Sequence, residues 1–176
     1  MPLYRGLALT VLQTDSEHRD FYEAAGRGEL VVQRCSACSM LRGDVGAACP
    51  FCQAGAWEWQ PVSGKGVIYS YSVVTQPIQP AFRDFAPYPV VLVELDEQRG
   101  VPWHSRAEGE SVSVRLVRNL VRRDDPAVPE SEDLVAIGKR VEACFVALGD
   151  GLALPQFCLS AEPPEHQPWQ ASGGRH

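Results

Sequence analysis

Residues 35–52 read CSACSMLRGDVGAACPFC, and this stretch decides the fold of the first third of the chain. It contains two Cys-x-x-Cys knuckles, Cys35 with Cys38 and Cys49 with Cys52, separated by ten residues. Two knuckles at this separation can close around a single tetrahedral metal ion. The sequence therefore predicts a ribbon folded around one zinc ion.

The chemistry of the four cysteines predicts a structural role for that metal. Four thiolates fill the coordination shell of zinc and leave no position for a catalytic water. In zinc-finger peptides such binding contributes about 10–16 kcal/mol, which exceeds what the core of so short a segment could supply. A redox dithiol, disulfide bonds and a rubredoxin-like iron site remain open as alternatives.

The overall composition limits the class of protein. The chain has 176 residues and a formal net charge of -6, which argues against nonspecific binding to nucleic acid because that needs an excess of Lys and Arg. Its first residues, MPLYRG, lack the charged start and apolar run of a signal peptide, and no apolar run approaches the roughly 20 residues that span a bilayer. We therefore expect a cytosolic protein, in which reduced thiols favour metal binding over disulfides.

Segments on both sides of the ribbon have recognisable periodicity. Phe21 and Ala25 lie four residues apart and predict a helix before the ribbon, which Gly26 or Gly28 would end. Trp57 and Trp59 alternate and predict one face of a strand that leaves the ribbon. About five short strands with hairpin-like spacing follow, at residues 67–74, 89–95, 111–116, 139–148 and 154–159.

Five strands need a closed or nearly closed sheet to cover their apolar face, and the OB-fold is the common five-stranded solution. In the first strand, alternation places Val67, Tyr69, Tyr71 and Val73 on one face. The segment after Ala161 is rich in proline and poor in aliphatic residues, which predicts a flexible tail. We divide the chain into an N-terminal arm and helix (1–29), the ribbon (30–62), the barrel (63–160) and the tail (161–176).

Two groups of residues are candidates for contact with a partner or ligand. Phe82, Phe85 and Tyr88 lie in a proline-rich loop and could contact a partner or an acyl chain, or could cap the barrel. Arg115 and Arg118 belong to the densest basic stretch, which could bind phosphates or form a solvated face balanced by nearby acids. No nucleophile with a base and an orienting group is recognisable, so we predict no catalytic residue.

Several segments in order resemble a known family, the zinc-ribbon and OB-fold proteins associated with acyl-CoA metabolism. Besides the knuckles, the similar segments are DFYEAAGRGELVVQRC (20–35), SGKGVIYSYSVV (63–74), FRDFAPYPVVLVELDE (82–97), EDLVAIGKRVEACF (132–145) and DGLALPQF (150–157). That family often has Gly after the second cysteine of a knuckle, where this chain has Ser39 and Gln53.

The resemblance implies a mainly β protein with an N-terminal helix, a rubredoxin-like zinc ribbon and a five-stranded OB-fold barrel. It also implies a non-catalytic subunit of a thiolase-fold partner, either a thiolase or a retro-aldol lyase. Such a subunit helps to form or stabilise the acyl-CoA site of the partner in lipid or steroid side-chain metabolism. A nucleic-acid-binding ribbon and barrel, or a stand-alone hydratase or thioesterase, are the alternatives.

Overall fold

The computed structural model, which describes residues 3–8, 16–43, 46–102 and 111–171, is mainly β with one helix. The elements in chain order are β1 (Leu3–Tyr4), β2 (Leu7–Ala8), α1 (Ser16–Gly26), β3 (Leu30–Cys35), β4 (Leu41–Arg42), β5 (Trp57–Val62), β6 (Lys65–Val74), β7 (Tyr88–Leu95), β8 (Val101–Pro102), β9 (Ser111–Val112), β10 (Arg115–Asn119), β11 (Arg140–Gly149) and β12 (Leu152–Leu159). Short 3-10 helices lie at Pro80–Phe85 and Glu132–Leu134. Within the described residues, no helix has the length and apolar character needed to cross a membrane.

Helix α1 forms where its apolar side was predicted and is held against the hairpin of β11 and β12. Ala24 and Ala25 are buried. A Cβ atom on Gly26 would lie 1.8 Å from the carbonyl oxygen of Gly151, so only glycine permits this approach. The helix ends at Gly26, and Gly28 follows with a φ of +82°. Both observations agree with the predicted helix and its glycine stop.

The ribbon is a three-stranded antiparallel sheet in the order β4-β3-β5. Trp57 and Trp59 share one face of β5 as predicted, with ring centroids 5.0 Å apart. The ring of Trp59 also lies 5.9 Å from that of Phe21 in α1. These aromatic contacts join the ribbon sheet to the helix.

The second sheet is five-stranded and antiparallel, in the order β10-β7-β6-β11-β12. A parallel bridge between Leu120 and Phe157 joins its two ends, and the Val121 N–H donates to the Phe157 carbonyl at 2.8 Å. This order and its parallel closure are the connectivity of an OB-fold barrel, as predicted. Its core is formed mainly by inward-facing aliphatic side chains, with Leu30 and Val32 contributed from β3: Leu30, Val32, Ile68, Val91, Val93, Leu95, Val114, Leu116, Leu120, Val135, Val141 and Phe157.

The predicted alternation in β6 is wrong beyond Ile68. A β-bulge shifts the pairing with β7 between Ile68 and Ser70. Ile68 is fully buried, Tyr71 and Val73 pack on the same core, and Tyr69 is exposed. An extra residue at a bulge reverses the parity of the side chains that follow, so Tyr69 does not share a face with Tyr71.

The predicted strand over residues 111–116 is divided in two. Val112 and Val114 are buried in this segment. However, β9 pairs with β8, whereas β10 pairs with β7. The change of partner between Val112 and Arg115 interrupts the strand.

Residues 161–171, for which we expected a flexible tail, instead lie along the barrel. Glu162 forms ion pairs with Lys65 and Arg140, and Glu165 with Arg99. Trp169 exchanges two backbone hydrogen bonds with Ile137, of 2.8 and 2.9 Å. Composition indicated too little apolar area for folding, but ion pairs and strand-like bonds from distant residues supply the attachment. Residues 172–176 lie outside the described residues.

Candidate metal centre and interaction surfaces

The fold brings the four predicted metal ligands together. Cys35 ends β3, and the Sγ atoms of Cys35, Cys38, Cys49 and Cys52 all lie within 4.8 Å of one another. The Cys35–Cys52 and Cys38–Cys49 sulfur distances are both 3.6 Å. A tetrahedron with metal–sulfur bonds of about 2.3 Å has edges of about 3.8 Å, so the cluster fits one tetrahedral ion. The four cysteines could therefore hold a metal ion.

Both knuckles end in the same kind of turn, in which a residue other than glycine has a positive φ. The Ser39 N–H donates to the Cys35 carbonyl at 2.9 Å, and the Gln53 N–H donates to the Cys49 carbonyl at 2.8 Å. Ser39 and Gln53 have φ angles of 62° and 65°. Two residues other than glycine thus adopt the left-handed conformation, and the two turns have the same geometry.

The acidities of the thiols are unequal in the absence of a metal. The backbone N–H of Cys38 is the main cause that lowers the pKa of Cys35 to about 6. Burial is the main cause that raises the pKa of Cys38 to about 12. A thiolate cluster without a cation therefore keeps some of its protons, and a bound divalent cation would displace them.

Two buried polar side chains support the second knuckle. The guanidinium of Arg42 donates to the Gly46 carbonyl through Nη2 at 2.7 Å and to the Ala48 carbonyl through Nη1. The Gly46 N–H donates to Oε1 of Gln33 at 3.4 Å. Sequence reasoning did not identify these residues, because nothing in the local pattern marks a charged side chain of a short strand as buried. They hold the chain that leads into Cys49.

The ribbon is also attached directly to the barrel. The Leu41 N–H donates to Oε1 of Gln98 at 2.6 Å, and Nε2 of Gln98 donates to the Leu41 carbonyl at 3.0 Å. A Cβ atom on Gly43 would lie 2.7 Å from the Arg115 carbonyl oxygen. The side chain of Gln98 therefore extends the edge of β4, and Gly43 allows the two backbones to approach closely.

The aromatic loop is occupied by contacts within the chain. The Phe82 ring lies 5.9 Å from Tyr4 and 6.1 Å from Tyr88. The guanidinium carbon of Arg5 lies 3.6 Å from the centroid of Phe85 and 5.3 Å from that of Phe82. Arg5 was not identified from the sequence, since cation–π contacts between distant residues have no local signature. These contacts hold the loop against Tyr4 and Arg5. The contact of Phe82, Phe85 and Tyr88 with a partner or an acyl chain, and their alternative role as a cap on the barrel, stay predictions.

The fold does not bring Arg115 and Arg118 together. Arg115 lies opposite Glu94 in the sheet, stacks over Tyr69 at 3.6 Å and donates to Glu94 at 3.1 Å. Arg118 lies opposite the buried Val91, and its guanidinium carbon is 5.7 Å from the ring centroid of Phe21. Because residues three apart in a strand face opposite sides of the sheet, the two arginines do not form one phosphate site.

Comparisons with known proteins agree with this architecture. The family described as the ChsH2 C-terminal OB-fold domain matches residues 59–146. A chain of a solved structure described as "Ltp2-ChsH2(DUF35) aldolase" superposes with a TM-score of 0.60 at 34% sequence identity, covering 82% of this chain and 95% of the other.

Two curated relatives match this chain over part of their own length. A probable enoyl-CoA hydratase alpha subunit of Thermomonospora curvata is 36% identical over 137 residues, covering 78% of this chain and 35% of the relative. A DUF35 domain-containing scaffold protein of Methanothermobacter thermautotrophicus is 40% identical over 72 residues, covering 40% of this chain and 53% of the relative. The chain thus spans about a third of the first relative and about half of the second.

Proposed function

Because this chain belongs to the family of the ChsH2 C-terminal OB-fold domain, which includes DUF35 proteins, we propose that it is a non-catalytic accessory subunit of an acyl-CoA enzyme. Its partner is a thiolase-fold protein, either a thiolase or a retro-aldol lyase. The chain helps to form or stabilise the acyl-CoA site of that partner, in the cytosol and in lipid or steroid side-chain metabolism.

One observation carries this proposal. The similarity to the chain of the Ltp2-ChsH2(DUF35) aldolase covers 82% of this chain and 95% of that chain, at 34% identity. The name of the archaeal relative, a scaffold protein, supports a role in assembly. The partner would supply the nucleophile and the base.

The metal in the proposed function is zinc, held by Cys35, Cys38, Cys49 and Cys52. Four sulfur ligands suit zinc in a closed structural site, and such a site keeps the ribbon rigid for contact with another polypeptide. Iron in the same sulfur cage is the competing occupant. Elemental analysis of freshly purified protein should find one zinc per chain.

The proposal assigns a minor role to the five candidate contact residues, Phe82, Phe85, Tyr88, Arg115 and Arg118. The two phenylalanines act indirectly, since Arg5 and Tyr4 already cover them and so fix the shape of the loop. Arg115 faces outward, whereas Arg118 lies on the inward side of the sheet beside Phe21, so Arg115 is the one that can reach a partner docked on the outward side. The pyrophosphate of coenzyme A is therefore bound mainly by residues of the partner.

The test is coexpression of this chain with each thiolase-fold protein encoded in the source organism. Light scattering measures the mass of any complex, and chromatography of acyl-CoA products measures cleavage. We expect a stable heteromer with one of these proteins and cleavage that requires the partner. Turnover by the isolated chain at ordinary enzyme rates would contradict the accessory role. Salt-sensitive binding of single-stranded DNA would instead support a nucleic-acid module.

A second candidate partner comes from the Thermomonospora relative. Its name assigns it to an enoyl-CoA hydratase, and 78% of this chain matches about a third of its length. A hydratase module could therefore occupy the position that we assign to the thiolase-fold protein. Parallel coexpression with enoyl-CoA hydratases of the source organism, followed by measurement of complex mass and hydration, distinguishes the two partners.

A further inference from the structure

The outward surface of β6, β7 and β10 carries several apolar side chains outside the core. Val90 and Leu92 point outward because they alternate with the buried Val91 and Val93. Val117 lies opposite Leu92 and shares its face. We call the apolar outward side chains of these strands the outer face: Tyr69, Val74, Tyr88, Val90, Leu92 and Val117. Small or neutral polar side chains lie among them, at Ser70, Ser72 and Asn119.

Large apolar side chains are exposed on and beside the outer face. Val117 is 57% exposed and Tyr69 is 48% exposed. Ile78, in the loop between β6 and β7, is 96% exposed. Val74, Tyr88 and Ile78 line one shallow depression, so the loop and the outer face form one surface.

The surface is both rigid and nearly without charge. Arg5 and Phe85 stack at 3.6 Å, and Phe82 contacts Tyr88. These contacts attach the loop that carries Ile78 to the rest of the fold. The charged pair at the end of the face, Arg115 and Glu94, is joined by a hydrogen bond of 3.1 Å. Interface cores are depleted in charge and rich in apolar and aromatic side chains, which this surface matches. A preformed surface also loses little entropy on binding.

This surface lies where OB-folds usually bind their ligands. In OB-folds the second and third strands and the loop between the first and second strands form the usual ligand face. Here these are β7, β10 and the loop that contains Ile78. A nucleic-acid ligand would need basic side chains along the face, whereas the cation here, Arg115, is engaged with Glu94 and Tyr69. The face therefore suits an apolar protein surface.

Charge argues against a second copy of this chain as the occupant, because two copies would each carry a net charge of -6. Strands about 4.8 Å apart, with a rise of about 3.4 Å per residue, give the outer face roughly 350 Å². A standard interface buries about 800 Å² on each partner, so a partner must also extend over the loop of Ile78 and the surface around it.

We propose, on the basis of the function proposed above, that the outer face and Ile78 are the surface on which the thiolase-fold subunit docks. Ile78 acts as an anchor that enters an apolar depression of the partner. Val117 and Leu92 form the centre of the contact, and the Arg115–Glu94 pair lies at its rim.

The test compares single charge insertions in the coexpressed complex. Ile78→Asp and Val117→Asp place a carboxylate on the surface at positions that are already exposed. Leu134→Asp is the matched control, because Leu134 is 45% exposed but lies outside the outer face. Circular dichroism and metal content confirm that each variant is folded. Binding to the thiolase-fold subunit is measured by biolayer interferometry.

We expect Ile78→Asp and Val117→Asp each to weaken the affinity at least 30-fold, and Leu134→Asp to change it less than 3-fold. If the unaltered chain binds and both face variants bind equally well, the docking surface is wrong while the proposed function stands. If the unaltered chain binds no thiolase-fold protein, the proposed function and the docking surface both fail. A homodimer that Val117→Asp dissociates would identify a second copy as the occupant and contradict the proposal.

Discussion

The ribbon and the barrel are held together by different forces, although they share a sheet-rich architecture. Between residues 35 and 62, within the described part of the chain, the buried apolar side chains are Cys35, Met40 and Cys49. Two of these three belong to the cysteine cluster that could hold a metal ion. The barrel instead surrounds a core that includes Ile68, Val93 and Phe157. We therefore propose that the ribbon depends on coordination bonds, whereas the barrel depends on the burial of apolar side chains.

The two regions are nevertheless connected at defined places. Leu30 and Val32 of β3 join the barrel core, and Gln98 bonds to the edge of β4. Loss of the metal should therefore disorder the knuckles first and leave β3 in place. This separation can be challenged by substitutions that act on one region at a time.

The largest effect is expected from Cys49→Ser. A missing thiolate opens the coordination shell, and because metal binding stabilises such ribbons by about 10–16 kcal/mol, affinity for the ion should fall by orders of magnitude. Elemental analysis after dialysis should find the variant nearly free of metal. Cys144→Ala, a cysteine of β11 outside the cluster, should keep its metal. Equal metal content in both variants would refute the assignment of ligands.

Phe157→Ala tests the barrel in the same way. Phe157 is buried in the core and its backbone closes the barrel against Val121. Truncation of a buried phenylalanine costs about 3–5 kcal/mol. The midpoint of denaturant unfolding, followed by circular dichroism, should fall accordingly, and Phe157→Leu should lose much less. Release of the metal in the same transition as the unfolding of the barrel would show that the two regions are not separate.

Gln98→Ala removes the link between the regions. Its two hydrogen bonds to Leu41 contribute about 1 kcal/mol each, so a loss of about 1–2 kcal/mol is expected. The loss should appear as faster hydrogen exchange at β4, with little change in β7. Gln98→Glu keeps the acceptor for the Leu41 N–H and should be intermediate. Unchanged exchange at β4 would mean that the ribbon is fixed elsewhere.

The smallest of these effects is expected from acid, which should weaken the attachment of the C-terminal segment. Hydrogen bonds from Lys65 and Arg99 lower the pKa of Glu162 and Glu165, respectively. The ordinary pKa of such a carboxyl group is about 4. When folding lowers this pKa, the ionised carboxylate stabilises the fold above the ordinary pKa. That contribution is lost as the pH falls through the lowered pKa of the folded state. Hydrogen exchange of residues 161–171, corrected for its intrinsic pH dependence, should therefore accelerate below about pH 4. Glu162→Gln should reduce this response, and a segment equally protected at both pH values would contradict it.

Local patterns predicted the parts of the molecule that local rules determine. The spacing of the knuckles predicted the cluster, and the apolar side of the segment before the ribbon predicted α1. The glycine stop of α1 was equally local. The family resemblance supplied the partner class, which no pattern of residues contains.

The remaining features depend on residues that are distant in the chain. The bulge at Tyr69 reverses the faces of β6, and alternation alone gives no sign of it. Arg5 reaches Phe85, and Glu162 reaches Arg140, through contacts that composition cannot reveal. The separation of Arg115 from Arg118 was available from strand parity, yet their nearness in sequence suggested one cluster.

Hydrogen exchange before and after removal of the metal by a chelator tests most directly whether coordination holds the ribbon while an apolar core holds the barrel. The Ser39 and Gln53 amides, which close the two knuckles, should lose their protection. The amides of β7 should keep theirs. Full protection of Ser39 and Gln53 in metal-free protein, or loss of protection in β7 at the same time, would contradict this account.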